Sequence, residues 1–321
     1  MQKQPLLSVC MITYNHEAFI LQALEGVLMQ QTSFYFDVVL ANDASSDATD
    51  KVLEAYLKNH PQKHVVQYIN HPKNKGMYDN MVFALRACTG KYVALCEGDD
   101  YWTDPFKLQK QVDFLETNSD YEVCFTNIKV VRDDNSVKKD MLIADKRQTV
   151  YEKKDLPIWA PTLTRVFRNR NFKDLPYAPG LDTIMLLWQS QYGKIKFLDE
   201  VTGVYRLHGG GVYSSRNKGE RKIAVLKTQI ACLDYIHAPQ YKKYCGLLFK
   251  KLVELYALDR QLYQIALRNV KQAFYRHLKN MPFYTQLLVG LSLVLLYLPV
   301  LKGYRQTREL LIRFFNHIFI Y

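Results

Sequence analysis

The stretch Lys91–Pro105, KYVALCEGDDYWTDP, releases three carboxylates, Glu97, Asp99 and Asp100, directly after an apolar run. Tyr92 to Cys96 reads as a buried strand, so the acids stand where a core segment meets solvent. Carboxylates a few ångströms apart in a partly desolvated cleft do not all stay ionised unless their pKa values rise or a cation joins them. Oxygen ligands of this kind suit a hard divalent ion, Mg2+ or Mn2+, which keeps open positions for phosphate oxygens. The same acids could cap the turn before Pro105 and face water, and on the cluster alone both readings stand.

The elements that must position this cluster alternate. Leu6 to Thr13 (LLSVCMIT) predicts a strand broken by Tyr14-Asn15-His16, and Phe19, Ile20, Leu24, Val27 and Leu28 recur at helical spacing. Asp37 to Ala41 predicts the next strand, NDASSD a loop whose Ser and Asp side chains cap a helix over 48–59, and Val65 to Asn70 a third strand. NKG predicts a turn, Asp79 to Cys88 a helix and Tyr92 to Cys96 a fourth strand. This alternation indicates parallel βαβ units, hence an α/β fold with an open, mostly parallel sheet flanked by helices. Such sheets gather ligands at the carboxyl ends of their strands, where TYN, NDASSD and EGDD all fall. Further on, Glu122 to Val131 predicts a strand, 133–154 a charged excursion, Asp182 to Gln191 a helix and Ile195 to Tyr205 another strand. From Glu220 the pattern turns helical.

In that order, SVCMITYNHEAFI, VVLANDASSDATD, NKGMYDN and YVALCEGDDYWTDPFKLQKQ resemble the nucleotide-binding half of the family 2 glycosyltransferases, which have the GT-A fold. Each motif is weak by itself, but the ordered set is specific, and later landmarks extend the match to about residue 215. The resemblance implies that Thr13, Tyr14 and Asn15 border the nucleotide base and ribose. It implies that Asp43 hydrogen-bonds the base, and that Asn74, Gly76 and Asn80 shape the nucleotide site. EGDD matches the family's metal motif, usually written DxD or DxDD. Asp99 is then the expected metal ligand, Glu97 a ligand where the family more often has Asp, and Asp100 a ligand or an orienting residue. Asn42 stands where the family usually has a first acid in the DDGS-type loop. Taken alone, Tyr14 reads as an aromatic plug, Asp43 as a capping residue, and Asn74 with Gly76 as an ordinary turn.

The segment PGLDTIMLLWQSQYGK resembles the part of the family in which an acid opens a helix, which implies Asp182 as the general base of an inverting transfer. A plain helix cap is the alternative, and Leu181 stands where an acidic pair is usual. VTGVYRLHGGGVYSS resembles the family's YRxH element, which implies Arg206 as a donor to the diphosphate and His208 as a ligand of the metal or a phosphate. Gly209 to Gly211 could close over the donor or merely link to an appendage. Trp102 and Trp159 are candidates to stack on a sugar, with burial in the core as the default.

Charge locates a second region. The 321 residues carry a net +12, yet from Tyr241 onward thirteen Lys or Arg face three acids, so most of the basicity lies in the tail. No nucleic-acid-binding motif accompanies it, which leaves an anionic membrane surface as the expected partner. Met281 to Leu301 contains no charged residue, and Leu287 to Leu301 is strongly apolar. That length is at the lower edge of a bilayer span, and RELLIRFFNHIFIY after it is amphipathic. Surface association with shallow insertion of 283–301 is expected, with a buried helical hairpin or a homo-oligomeric interface as the alternatives. The six cysteines include no CxxC pair and several sit in apolar runs, and the N-terminus lacks a signal-peptide core. These features lead to an expectation of a reducing, cytoplasmic setting, peripheral at the inner face of the cell membrane.

The expected organisation is therefore a GT-A catalytic domain over 1–219, its nucleotide half over about 1–110 and its acceptor half over about 111–219, with a helical, basic region over 220–321. The expected activity is inverting transfer of a sugar from a nucleoside-diphosphate donor, first a UDP-sugar, to a hydroxyl of a glycan or lipid-linked precursor of cell-surface polysaccharide. Mn2+ or Mg2+ would assist it. The rivals are an inactive sugar-nucleotide or membrane-binding scaffold and a nucleotidyltransferase. TYNHEAFI lacks the Gly-rich basic loop that the latter needs.

Overall fold

The computed structural model describes residues 4–132, 137–140, 147–170, 172–211, 216–295 and 313. The described residues fall into two compact units, one within Met1–Leu175 and Gln189–Ser215, the other within Pro176–Trp188 and Arg216–Tyr321.

The first unit is built on one sheet. Strands β1 (Leu7–Thr13), β2 (Phe36–Asn42), β3 (Val66–Asn70) and β4 (Tyr92–Leu95) pair in parallel in the order β3-β2-β1-β4. Helices α1 (Ile20–Leu28), α2 (Thr49–Asn59) and α3 (Met77–Ala87) make the crossovers. Every residue of β1 is buried, as a central strand covered on both faces requires, which is why LSVCMIT is a continuous apolar run and not an alternating one. The parallel half expected from the βαβ spacing is thus present.

Beyond β4 the sheet becomes mixed. A two-residue strand, β5 (Tyr101–Trp102), and helix α4 (Lys107–Thr117) precede the long β6 (Tyr121–Arg132), followed by β7 (Val137–Asp140), β8 (Val150–Tyr151), β9 (Val166–Arg168) and β10 (Lys194–Leu207). β9 runs antiparallel between β4 and β6, β10 lies parallel to β6, and β5 clips antiparallel onto β10. β7 and β8 lie within or beside the charged stretch 133–154, part of which is outside the described residues. The β5 clip pairs Trp102 with Gly203 and Tyr101 with Val204, so the residues just before β5 are carried to the end of β10. A side chain at Gly203 would meet Leu163 at 2.7 Å.

Trp102 belongs to the core and is not available to stack on a sugar. It is buried, and its indole N–H donates to the Leu163 carbonyl at 2.6 Å. Trp159 is 40% exposed. Beneath Trp102 lies Lys107, fully buried, its ammonium 4.1 Å from the indole ring centroid and donating to Gln111 Oε1 at 2.8 Å. Burial lowers its pKa to about 7 despite the opposing pull of Cys96, Cys124 and Asp104. Below that value the folded and unfolded chains both hold the proton and the full cost of burying the charge applies. Between about 7 and the unfolded value of 10.5 only the unfolded chain holds it, so stability rises with pH. Lys107→Met, which keeps the packing, should therefore be more stable than the parent by a few kcal/mol at pH 6. Its advantage should shrink by pH 9. Urea denaturation at the two pH values checks this; an equal gain at both refutes it.

The second unit contains the start of α5 (Leu181–Gln189) with α6 (Lys218–Cys232), α7 (Ala238–Tyr256), α8 (Arg260–His277) and α9 (Phe283–Leu295). Its own core draws on Tyr244, Leu248, Phe249 and Leu252 from α7 and on Ala266, Val270 and Phe274 from α8, the spacing of one helical face. The helix starts are chemically marked: Asn217 and Glu220 form a reciprocal capping box on α6, and Asp259 accepts from Leu262 N–H at α8. On α9, Phe283, Leu287 and Leu291 share one face and are exposed, with Tyr284 beside them. Among the described residues no helix is long and apolar enough to cross a membrane, and the continuation of the apolar run over 296–301 lies outside them. All six cysteines are buried with free thiols.

Candidate active site

Four loops meet at the carboxyl ends of β1, β2, β3 and β4. After β1, Asn15 takes a left-handed conformation (φ 55°) that Asn tolerates. Its side-chain oxygen accepts from Ser46 N–H at 2.8 Å, and its own N–H donates to Ser45 Oγ at 2.9 Å. His16 N–H donates to Thr49 Oγ1 at 2.9 Å. Glu17 accepts from Ala48 N–H at 2.7 Å, so part of the start of α2 is satisfied from the neighbouring loop. The expected capping by NDASSD comes down to Asp47, which accepts from Thr49 N–H at 2.9 Å; Ala48 at the cap position contributes no side-chain bond. Tyr14 is 44% exposed and Thr13 is buried.

Asp43, buried at the end of β2, organises the third loop. Its two carboxylate oxygens accept from Lys75 N–H at 2.7 Å and Gly76 N–H at 2.9 Å, while Asn74 donates to the Asp43 carbonyl at 3.1 Å. Gly76 has φ 87°, a conformation costly for any residue with a Cβ. Asn80 is buried and ties α3 to β2 through the Ala41 carbonyl at 3.1 Å, with His71 on its other side at 3.1 Å. Asp43, Asn74, Gly76 and Asn80 thus tie together the end of β2, the loop after β3 and the start of α3.

The EGDD turn lies against β1 because Gly98 has no side chain: a Cβ there would meet Thr13 Oγ1 at 2.8 Å and Ile20 at 2.9 Å. Gly98 N–H donates to the Ile12 carbonyl at 2.9 Å. With the turn pinned on one side and β5 clipped to β10 on the other, Asp99 Oδ2 comes within 3.0 Å of His208 Nε2, 109 residues later. Asp100 is buried and accepts the backbone N–H of Arg206 at 2.9 Å. Burial, followed by the charges of Asp99 and Glu97, pushes the Asp100 carboxyl well above the usual range. Burial also acts to raise Asp99, but the hydrogen bond from His208 and the nearby imidazoles outweigh it and hold Asp99 below its ordinary value.

Arg206 lies in the same corner. Its guanidinium carbon is 4.6 Å from the Tyr101 ring centroid and 5.2 Å from that of Phe19, and it donates to Gln22. Its buried Nε has no acceptor among the described residues. That leaves a cation with donor capacity to spare beside the Asp99–His208 pair.

The sequence pattern singles out Thr13, Tyr14 and Asn15 but not the next residue, His16, whose Nε2 is 3.8 Å from Asp99 Oδ2. His16, Asp99 and His208 offer ligand atoms that all lie within 4.8 Å of one another, the group among the described residues suited to a metal ion. Glu97 is not part of that trio. The sequence signal for His16 was its place directly after TYN at a strand end, shared with its neighbours. Asp182 stands in the first turn of α5, partly buried and in the second unit. Of the Gly209–Gly211 run, all three glycines are described and 212–215 lie outside the described residues.

The family model described as glycosyl transferase family 2 matches residues 8–175. An uncharacterized protein of Mycobacterium tuberculosis is 32% identical over 246 residues, spanning 72% of this chain and 69% of its own. Among solved structures, S. aureus TarS 1-349 in complex with UDP-GlcNAc aligns with TM-score 0.59 at 19% identity, covering 83% of this chain and 81% of that one. The mannosyltransferase PcManGT from Pyrobaculum calidifontis, in complex with GDP-Man and Mn2+, aligns with TM-score 0.55 at 16% identity over 97% of this chain and 86% of its own. At these identities the two structures bear on the fold, which agrees with a GT-A arrangement.

Proposed function

The chain belongs to glycosyl transferase family 2 and is a glycosyltransferase; from that premise we propose an inverting, metal-assisted transfer of a sugar from a nucleoside-diphosphate donor to an acceptor hydroxyl. The observation that carries the reading is the meeting of Asp99 and His208 at 3.0 Å beside the cationic Arg206, at the strand ends where this sheet type binds ligands. A carboxylate and an imidazole on fixed elements are a donor set that fits Mn2+ or Mg2+, with Glu97 adding negative charge from the same turn. When bound, such an ion neutralises charge on the departing diphosphate. Arg206 would add charge-assisted hydrogen bonds there. Thr13, Tyr14, Asn15 and the loop organised by Asp43, with Asn74, Gly76 and Asn80, would border the nucleotide, and Asp100 would hold the metal turn to β10. Asp182 would take the proton of the acceptor hydroxyl.

In this reading residues 1–219 carry catalysis and 220–321 form an appendage. A UDP-sugar is the donor we favour, in line with the UDP-GlcNAc bound by TarS, although the GDP-Man of PcManGT makes guanosine donors the necessary comparison. The acceptor we assign is a lipid-linked or surface-glycan precursor. The support is the exposed apolar face of α9, preceded in the chain by the exposed Arg276 and Lys279, a combination suited to an anionic membrane surface at the cytoplasmic side. Through the same helices a second copy could associate.

A thermal-shift screen of UDP- and GDP-sugars, each with and without Mn2+, tests donor and metal together. A rise in Tm of several degrees with UDP-sugars only when Mn2+ is present is the expected outcome. Stabilisation by GDP-sugars instead would move the donor, and stabilisation without turnover of any nucleotide sugar would favour the inactive scaffold. Retention of the protein on anionic but not neutral vesicles is expected in the same preparation, and equal behaviour on both would remove the membrane assignment.

A further inference from the structure

We propose that His16 is a third protein ligand of the divalent ion and the residue that makes this site prefer a first-row transition ion, Mn2+, to Mg2+. The proposal rests on the metal-assisted reading above and adds to it a ligand from the β1 loop and a basis for metal choice.

The geometry brings three elements to one point. His16 follows β1, Asp99 follows β4 and His208 follows β10, and their ligand atoms lie within 4.8 Å of one another. The two imidazoles are not equivalent. His208 Nε2 is at hydrogen-bond distance from Asp99 Oδ2, whereas His16 Nε2, at 3.8 Å from the same oxygen, is beyond it. His16 therefore faces the carboxylate without spending its nitrogen on it. Ligands bonded to one ion at about 2.1 Å sit roughly 3 to 4 Å apart, so the separations of both imidazoles from Asp99 are of the right size.

His16 is also held in place. Its backbone N–H is tied to Thr49 Oγ1 at 2.9 Å, and Thr49 Oγ1 donates to Asp47 at 2.6 Å. The residues on either side are tied to the same loop, Asn15 through Ser45 and Ser46, Glu17 through Asp47 and Ala48. The His16 ring meets the His208 ring edge-on at 5.9 Å between centroids, and Phe19 packs on both. A side chain kept only for packing at this place would not need an imidazole. Its Nδ1 is buried with no hydrogen-bond partner among the described residues, so the ring is positioned by its backbone ties and by packing on Phe19 and His208.

The donor types set the preference. Mg2+ favours oxygen ligands and retained waters in near-ideal octahedral geometry, while imidazole nitrogen suits the first-row transition ions, of which Mn2+ gains the least from it but still more than Mg2+. A DxD-type turn acting through carboxylates alone would discriminate little between Mg2+ and Mn2+. Two imidazoles and one carboxylate shift the site toward Mn2+, and His16 is the ligand that tips the majority from oxygen to nitrogen.

The test is Mn2+ binding to the full chain, followed by electron paramagnetic resonance, for Mn2+ alone and with UDP or GDP, and with Mg2+ as competitor. His16→Asn should bind Mn2+ at least about tenfold more weakly. Mg2+ binding should change little, so the Mn2+ to Mg2+ selectivity falls by about the same factor. Electron spin-echo modulation of the wild-type complex, which needs no variant, should show two coupled imidazole nitrogens, and His16→Asn should show one. A single coupled nitrogen in wild type, unchanged Mn2+ affinity in His16→Asn, or equal loss of both ions would overturn the proposal while leaving the metal-assisted reading intact. Wild-type protein that binds no Mn2+, whether alone, with UDP or with GDP, would remove both.

Discussion

Replacing Asp99 by alanine is expected to reduce sugar transfer by a factor on the order of 10³ and to remove the Mn2+-dependent part of nucleotide binding. The argument starts from charge. Asp99 is the carboxylate toward which both His16 and His208 are turned, and those neighbours outweigh burial and hold its pKa below the ordinary value. An anion between two imidazoles is what an incoming divalent ion requires, and alanine leaves the imidazoles without it. The substitution should cost little in folding, because Asp99 is partly exposed and the turn is held by Gly98, Asp100 and β5. Initial rates with the preferred nucleotide sugar, alongside a melting curve, decide it. Full activity in a folded Asp99→Ala enzyme would sink the ligand role.

The second large effect concerns Asp182. Asp182→Asn should lower kcat by 10²- to 10⁴-fold, on the order of what a positioned general base contributes, while the Mn2+-dependent thermal shift with nucleotide stays as in wild type. The reasoning is that Asn preserves size and hydrogen bonding at the first turn of α5 but cannot take a proton. The helix start itself is anchored independently, since Gly180 N–H donates to Thr228 Oγ1 at 2.8 Å and the Gly180 carbonyl accepts from Thr183 and Ile184. Unimpaired kcat would return Asp182 to the plain capping role. A parallel loss of nucleotide binding would mean that the change had disturbed the site instead of its proton chemistry.

The two substitutions separate the halves of the proposed chemistry. In that proposal Asp99 would hold the ion that offsets charge on the leaving group, so its loss should be felt in binding and in rate. Asp182 would serve the acceptor hydroxyl, so its loss should be felt in rate alone. A scaffold that only binds sugar nucleotides would respond to the first and be indifferent to the second.

Much of the nucleotide half was legible in the residues because its signals are local. The continuous apolar runs of β1, β2 and β4, the helical spacing of α1 and the turn at Gly76 depend on neighbours a few positions away, and each element formed within a few residues of its expected bounds. EGDD was legible for the same reason: three acids after a buried strand are visible without knowing what they face. Trp102 was not so readable, since an aromatic beside an acidic turn looks the same whether it stacks on a ligand or donates to Leu163 from inside the core. Nor was Asp100 separable from Asp99 before its contact with the Arg206 backbone appeared.

The sequence by itself determined the alternation of elements, the parallel sense of the first four strands, the placing of carboxylates at their ends and the concentration of positive charge after Tyr241. These follow from periodicity, from the rule that βαβ units wind in parallel, and from counting charges. Only the tertiary structure decided which acid meets which base. That choice depends on β5, a two-residue strand too short to register as a period, pairing with β10 about 100 residues later and drawing His208 to Asp99. It depends as well on a loop laced by Asn15, His16 and Glu17 to the start of α2, which turns His16 toward the same carboxylate. Strand register and loop lacing are long-range pairings whose energy lies in contacts between distant segments, so no window of the sequence contains them.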